Sequence, residues 1–567
     1  MTPAPPVRLL PPVLAFAALF AASDALACGG FFCSQTPIDQ AGESIVFSMD
    51  PATGKVDTHV QITYEGEAAD FAWVVPVPTL PSLFLSTDQL FSTLAANTAP
   101  VFNVTYTEQG SCEGYYYGSG YGDYDASSSS SYADTGGPGG VTIVATQTVG
   151  PYDTVTLQAQ SSQQLLTWLQ DNGYDLPDQL DPLLAPYVAN DAYFVALKLQ
   201  NDKSAGDIAP FGMRYDGQKA GIPIQLTSIA ATPDMRLKVY VFGEHRAVPE
   251  SYLHVQLNDV ALNYIDRGTN YEQVITRAAD EAGGQAFATD FAGDPSFLQN
   301  ALNPDRYDTA ALAALTDPVD FMNEVISQGF PSDETLLSLL MIHIPIPPQL
   351  AYLEQDPTQF YNCLECYREY LLPFDPAAFA AELQEVVIDP LVNAEALFEY
   401  PWLSRMTSSI SPTEMTVDPV FVLNPDMGLV SNVREAEVVY LCGNGKTWDE
   451  SARRLELSDG RVLLLPSHDW LDDNGLTLDE FLENLTDINA LIIEKTGASG
   501  PPEVLQDFTD QAAAEDDENN HWVQDEFGEE EPDDGTSGCG CNSTTTGAPL
   551  AWGMALMTLI LRRRRKD

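Results

Sequence analysis

Eight cysteines, at positions 28, 33, 112, 363, 366, 442, 539 and 541, are the residues whose type and spacing most invite chemistry. Cys363-Leu364-Glu365-Cys366 has the spacing of a redox pair or of half a zinc site. A closed zinc site needs four ligands, and neither a second CxxC nor a nearby His-x-x-x-His completes this one. A thioredoxin-like pair needs a strand-to-helix junction, whereas this pair falls inside a helical pattern over residues 361–372. A structural disulfide is therefore expected ahead of redox activity. Cys28 and Cys33 bracket Gly29-Gly30-Phe31-Phe32, a loop short enough to close on a disulfide with its glycines taking the awkward dihedrals. Proximity thus favours Cys28 with Cys33 and Cys363 with Cys366, which leaves Cys112 for Cys442.

Other arrangements with catalytic spacing are few. Neither HExxH nor G-x-S-x-G occurs, and the histidines, His59, His245, His254, His343, His468 and His521, are scattered. His468-Asp469 is the one close His-carboxylate pair, and adjacent residues seldom orient each other's side chains. Gly445-Lys446-Thr447 imitates the end of a phosphate-binding loop, but Tyr440 stands where the first glycine is required, so it reads as a turn. Asp472-Asp473-Asn474-Gly475 invites a calcium loop, yet the first and twelfth ligand positions hold Trp470 and Phe481. The catalytic residues are thus unassigned, and no metal or cofactor is expected. A triad assembled in space from distant residues stays open.

The elements that would position such residues alternate at first with period two. Ser44-Ile45-Val46-Phe47-Ser48, a turn at Asp50-Pro51-Ala52-Thr53-Gly54 and a strand over residues 55–64 form a hairpin. Residues 70–78 are apolar on both faces and end in two prolines, which suits a buried strand. Strand patterns return at 141–146, 154–158, 193–199, 222–230 and 236–242, with one helix opening at Ser161 or Ser162. Residues 111–140 are dominated by glycine, serine and tyrosine without periodicity and read as a flexible insertion. From residue 270 the spacing turns helical, over 271–282, 308–316, 319–328 and 333–342. Strands return at 435–442 and in a hairpin turning at Ser458-Asp459-Gly460, and a capping box of Thr477 and Glu480 opens a helix near 478.

The fold class expected is α+β: a β-rich N-terminal domain, a largely helical region and a small α+β C-terminal part. The corresponding divisions are a signal peptide over 1–27, a β-rich domain over 28–300, a helical extension over 301–435, a hairpin-and-helix region over 436–505, an acidic disordered stalk over 506–538 and a tail over 539–567.

Address is the clearest message. Residues 1–27 carry one basic residue, an apolar run and Ala25-Leu26-Ala27, the pattern of a secretory signal cut before Cys28. Lipidation of Cys28 is the rival reading, with leucine misplaced for it. With 82 acidic against 25 basic residues, the formal charge of −57 repels nucleic acid and anionic headgroups and favours solubility. Residues 515–534 hold 11 acidic residues and no basic one. At the end come Gly538-Cys539-Gly540-Cys541, an apolar run over 548–561 and Arg562-Arg563-Arg564-Arg565-Lys566, with the basic cluster kept inside by the positive-inside tendency. Cys539 and Cys541 are candidate processing or lipidation points.

Several stretches are familiar as a set: CGGFFC, PIDQAGESIVF, GEAADFAWVVPVP, VGPYDTVTLQA, WLQDNGYDLP, YFVALKL and DEAGGQAFATDFAG. Over residues 28–435 the chain resembles domain-of-unknown-function family 2330 of secreted bacterial proteins. The tail is similar to the MYXO-CTERM sorting tail of myxobacterial-type surface proteins, which implies cleavage near Cys539 or Cys541 and attachment or release at the surface. The family lends no catalytic residue. The expected function is an exported, surface-sorted envelope protein, a non-catalytic binding or structural module. Its partners would be an unknown surface or extracellular partner, the sorting machinery and, through the C-terminal segment, the membrane, but no nucleic acid. The alternative is a secreted hydrolase whose site is assembled from distant residues.

Overall fold

A computed structural model describes residues 39–65, 72–112, 141–174, 176, 180–200, 208–229, 231–330, 334–443 and 445–527. Cys28, Cys33, Cys539 and Cys541, the signal segment, most of the insertion and the C-terminal apolar run lie outside the described residues. Among the described residues no helix is long and apolar enough to cross a membrane.

The fold is α+β, built around a mixed ten-stranded sheet. Its strands run in the order Glu503–Asp507, Ala490–Lys495, Leu253–Leu257, Ala286–Gly293, Trp402–Ile410, Ala231–Gly243, Asp39–Asp50, Lys55–Glu65, Phe211–Asp216 and Ser82–Leu85. The hairpin expected at its centre is present: Asp39–Asp50 pairs antiparallel with Lys55–Glu65, and Asp50 Oδ1 accepts from Ala52 N at 2.8 Å in the turn. Successive side chains of the central strands go to opposite faces. Ile45, Phe47, Leu237, Val239 and Val241 enter one core, while Val46, Tyr240 and Phe242 enter another. Both faces are therefore covered, which is why these strands read as nearly continuous apolar runs.

The first core lies against a four-stranded sheet ordered Ala72–Val77, Tyr193–Leu199, Tyr152–Gln158, Thr142–Val149. Ala72–Val77 is buried throughout and lies at that sheet's edge, where Pro76, lacking a donor, costs no ladder bond. The second core lies under helices, including Asp88–Thr98, Pro318–Gln328, Glu334–His343 and Pro376–Leu383. Pro376–Leu383 runs into a π-helical turn, Gln384–Ile388, before the helix resumes at Asp389–Glu395.

Two expectations are corrected. First, the divisions at 300 and 435 do not separate units. Trp402–Ile410 inserts between Ala286–Gly293 and Ala231–Gly243, and Val433–Leu441 pairs in parallel with Val101–Gln109. Second, the acidic segment from 506 is not a disordered stalk as far as residue 527. Thr509–Phe527 is a helix whose buried positions Ala512, Asp516, Asn519 and Val523 recur at helical spacing. Asn519 Nδ2 donates to Leu464 O at 2.7 Å and Asn520 Nδ2 to Val462 O at 2.8 Å, while Asn520 Oδ1 accepts from Leu464 N at 2.6 Å. The helix thus satisfies and covers the free edge of Val462–Leu465. Trp522 packs edge-on against Trp470 and Phe527 and tilted against Phe481. One apolar and amide-bearing face outweighs the charge on the others.

Candidate functional site

The described cysteines are oxidised. Cys112 is bonded to Cys442 and Cys363 to Cys366. The first bond joins the ends of the parallel strands Val101–Gln109 and Val433–Leu441, where Cys442 N also donates to Gln109 O at 2.9 Å. Glu108, Cys112 and Cys442 bring three potential ligand atoms within 4.8 Å of one another, but both sulfurs are spent on each other and no thiolate is on offer. Cys363 precedes a short 3-10 helix, Leu364–Tyr370, where the helical pattern was expected. His468 approaches Asp472, one turn on, at 3.6 Å with both side chains largely exposed. Asn474 and Gly475, at φ +63°, simply end the helix His468–Asp473, so the calcium-like stretch is a helix terminus.

Two buried polar networks, which spacing alone did not reveal, lock neighbouring strands of the large sheet. His254 Nδ1 lies 2.7 Å from Glu494 Oε1, and its Nε2 lies 2.9 Å from Thr289 Oγ1. That is a hydroxyl-imidazole-carboxylate chain across three adjacent strands. Burial alone would raise the Glu494 pKa, but the hydrogen bond and charge of His254, with Gln256 and Arg246, hold it below the ordinary range. Thr289 also receives Arg246 Nη2 at 3.3 Å. None of these residues lines the cleft described next. A bulge at Asp290 turns the neighbouring residue into the second network. Asp290 Oδ1 accepts from Tyr271 Oη at 2.6 Å and Oδ2 from Thr407 Oγ1 at 2.5 Å. Arg405 Nε stands 3.0 Å from Oδ2 without hydrogen-bond alignment, so its contribution is that of an ion pair. Both networks pair buried charge with opposite charge and hydroxyls, leaving Arg246 Nε and Arg405 Nε without a hydrogen bond.

The polar groups that meet open space gather elsewhere, in a cleft of about 470 Å³. It lies where the last strand of the large sheet, the Thr142–Val149/Tyr152–Gln158 turn and the helices Glu334–His343 and Pro376–Leu383 come together. Its volume falls in the range of small-molecule sites, roughly 300–1,000 Å³. An open groove of about 1120 Å³ along Val101–Gln109 has more volume but little enclosure.

Sequence dictates the strands that support the cleft residues Ser86 and Asp88. Strand Lys55–Glu65 sends Val56 and Val60 into the core, so Asp57, His59 and Gln61 share the other face. Across Gly212, Phe84 leans onto His59, with ring centroids 5.2 Å apart. A Cβ at Gly212 would stand 2.2 Å from the Phe84 ring, so only glycine leaves this passage. Two residues beyond Phe84, Ser86 Oγ meets His59 Nδ1 at 2.7 Å. Thr87 then caps the helix Asp88–Thr98 by accepting from Gln89 N at 3.3 Å. Asp88, in the first turn, accepts from Gln61 Nε2 at 2.5 Å. On the turn opposite, Gly150 has φ +53° and a Cβ there would stand 2.4 Å from Leu85 Cδ1, so this wall too is set by a glycine.

The helical wall contributes Glu382 and Glu385. Glu382 Oε2 lies 2.6 Å from His343 Nε2. Glu385, Val386 and Val387 belong to the π-helical turn, a rare geometry often found at functional sites.

Ser86 and His59 resemble part of a nucleophilic pair, but the chemistry is poorly served. Burial pushes the His59 pKa down to about 4, with Asp57 opposing and Arg214 assisting. Such a ring is neutral near pH 7 and a weak base. Both oxygens of Asp57 are taken by Arg214 at 2.6 Å, so Asp57 is engaged elsewhere. What the pair does well is fix the strand-to-helix turn that carries Asp88.

An α+β protein with its described cysteines oxidised, two buried polar networks and an acidic cleft is thereby defined. The chain belongs to the family DUF2330, described as an uncharacterized protein conserved in bacteria, whose model matches residues 22–334, more than half of the chain. No curated protein and no solved structure matches it.

Proposed function

We propose that the chain is an exported, surface-sorted envelope protein that acts as a binding module rather than an enzyme. The observation that carries this reading is the Cys112–Cys442 disulfide, which ties strands 330 residues apart in sequence. Such bonds persist in oxidising compartments and are rare in the cytosol. The secretory pattern of residues 1–27 and the similarity of the tail to MYXO-CTERM sorting tails support the same address. The cleft, with converging polar groups and apolar walls, is the natural place for a ligand. Fractionation of cells expressing the full chain tests the address. Deletion of residues 548–567 should release the soluble body or misdirect it, and replacing Cys539 and Cys541 by serine should block maturation. A doubly substituted protein that reached the surface with unchanged mass and amount would refute processing at these cysteines.

A second reading, a secreted hydrolase, is favoured by the 2.7 Å contact of Ser86, which lines the cleft, with the buried His59 behind it. A serine-directed fluorophosphonate decides between them. Labelling that disappears in Ser86→Ala would establish the hydrolase, and no labelling of the native chain is expected.

A further inference from the structure

We propose that the cleft at the meeting of the Asp88–Thr98, Glu334–His343 and Pro376–Leu383 helices binds a linear aliphatic polyamine. This rests on the binding-module reading above and adds the chemistry of the ligand.

Three carboxylates, Asp88, Glu382 and Glu385, line the cleft, and no lysine, arginine or aromatic ring does. An anionic ligand would meet only repulsion. A quaternary ammonium, which aromatic faces recognise, would lack its partners. The remaining wall alternates aliphatic side chains, Leu85, Leu339, Ile342, Val386 and Val387 among them, with the uncharged hydroxyls and amide of residues such as Ser338, Thr335 and Gln200. Among the described residues, only Glu108, Cys112 and Cys442 bring three ligand atoms within 4.8 Å, so the cleft carboxylates are too far apart to close together on one ion. A hard divalent cation, which takes about six to eight oxygens, is thereby disfavoured. Ammonium groups separated by methylene segments match both features, spaced negative charge and the aliphatic patches between polar groups.

Acceptor capacity is also left over. Asp88 uses Oδ1 for Gln61, and Glu382 uses Oε2 for His343, so each has its second oxygen for a donor. Each ammonium supplies up to three donors and no acceptor. The exported body has a strong overall negative charge, so diffuse attraction of any cation must be separated from seating in the cleft.

Calorimetric titration of the mature chain with spermidine, in about 0.15 M salt where diffuse attraction is screened over ~8 Å, makes that separation. We expect one saturable site, at least tenfold weaker binding in the variant Glu382→Gln/Glu385→Gln, and no change in the control variant Glu503→Gln/Asp510→Asn, whose carboxylates lie on the surface elsewhere. Magnesium ion should fail to compete at equal concentration. Absence of saturable spermidine binding, equal losses in the two variants, or full competition by magnesium would each overturn the proposal. Binding of 1,8-octanediol without spermidine binding would also overturn it, while leaving a cleft that binds apolar molecules and hence the binding-module reading intact.

Discussion

His59 should make the protein sensitive to mild acid in a way that a single substitution removes. Burial lowers its pKa from 6.5 to about 4, so the fold is stabilised by a neutral ring above the unfolded value, and that stability is lost as pH falls towards 4. At pH 4.5 an unfolded imidazole is almost fully protonated, whereas the folded one is mostly not. With ~1.4 kcal/mol per pKa unit, the linkage costs about 2.5 kcal/mol at pH 4.5 relative to pH 7. His59→Asn places an amide near the position of Nδ1, can still reach Ser86 Oγ, and does not titrate. Urea unfolding of both proteins at pH 7 and 4.5 isolates the effect, because the many carboxylates that titrate over the same range are common to both. The native chain should lose about 2.5 kcal/mol more than the variant on acidification. Equal losses would show that His59 is not held neutral, and the account of the support behind Ser86 would fall with it.

Two further outcomes follow from other parts of the fold. Replacing Cys112 and Cys442 by serine should cost up to about 5 kcal/mol in urea unfolding, against about 2 kcal/mol for Cys363 and Cys366, because the loop closed by the first pair is far longer. Asp516 behaves oppositely to His59. Burial raises its pKa from 3.8 to about 6, outweighing Arg461, so the stability it brings is present in acid and is lost as pH rises through 6. Amide protection factors in helix Thr509–Phe527, with the intrinsic pH dependence of exchange divided out, should therefore be higher at pH 5 than at pH 7.5, and Asp516→Asn should remove most of that difference.

Local signals were legible in the sequence and long-range ones were not. The hairpin at Asp50–Gly54, the box of Thr477 and Glu480 and the turn at Asp459-Gly460 each depend on a few adjacent residues, and each is present. Trp402–Ile410 gives no local sign that it enters the middle of a sheet, since its partners lie more than 100 residues upstream. The acidic helix reads as disordered because 11 carboxylates dominate residues 515–534, while the face that docks is only four positions of the helix. Behind the cleft, the strand over residues 55–64 was legible from its alternation. Which side chains meet it depends on the pairing of Phe211–Asp216 with Lys55–Glu65 and Ser82–Leu85, and no residue type announces that register. The π-helical turn likewise leaves no mark in composition or period.

The most direct test of an exported, oxidised binding protein is peptide mass spectrometry of the chain recovered from the cell surface under thiol-blocking conditions. The account predicts a mature N-terminus at Cys28 and a cross-linked peptide containing Cys112 and Cys442. Recovery from the cytosol with residues 1–27 retained and both cysteines alkylated would contradict it.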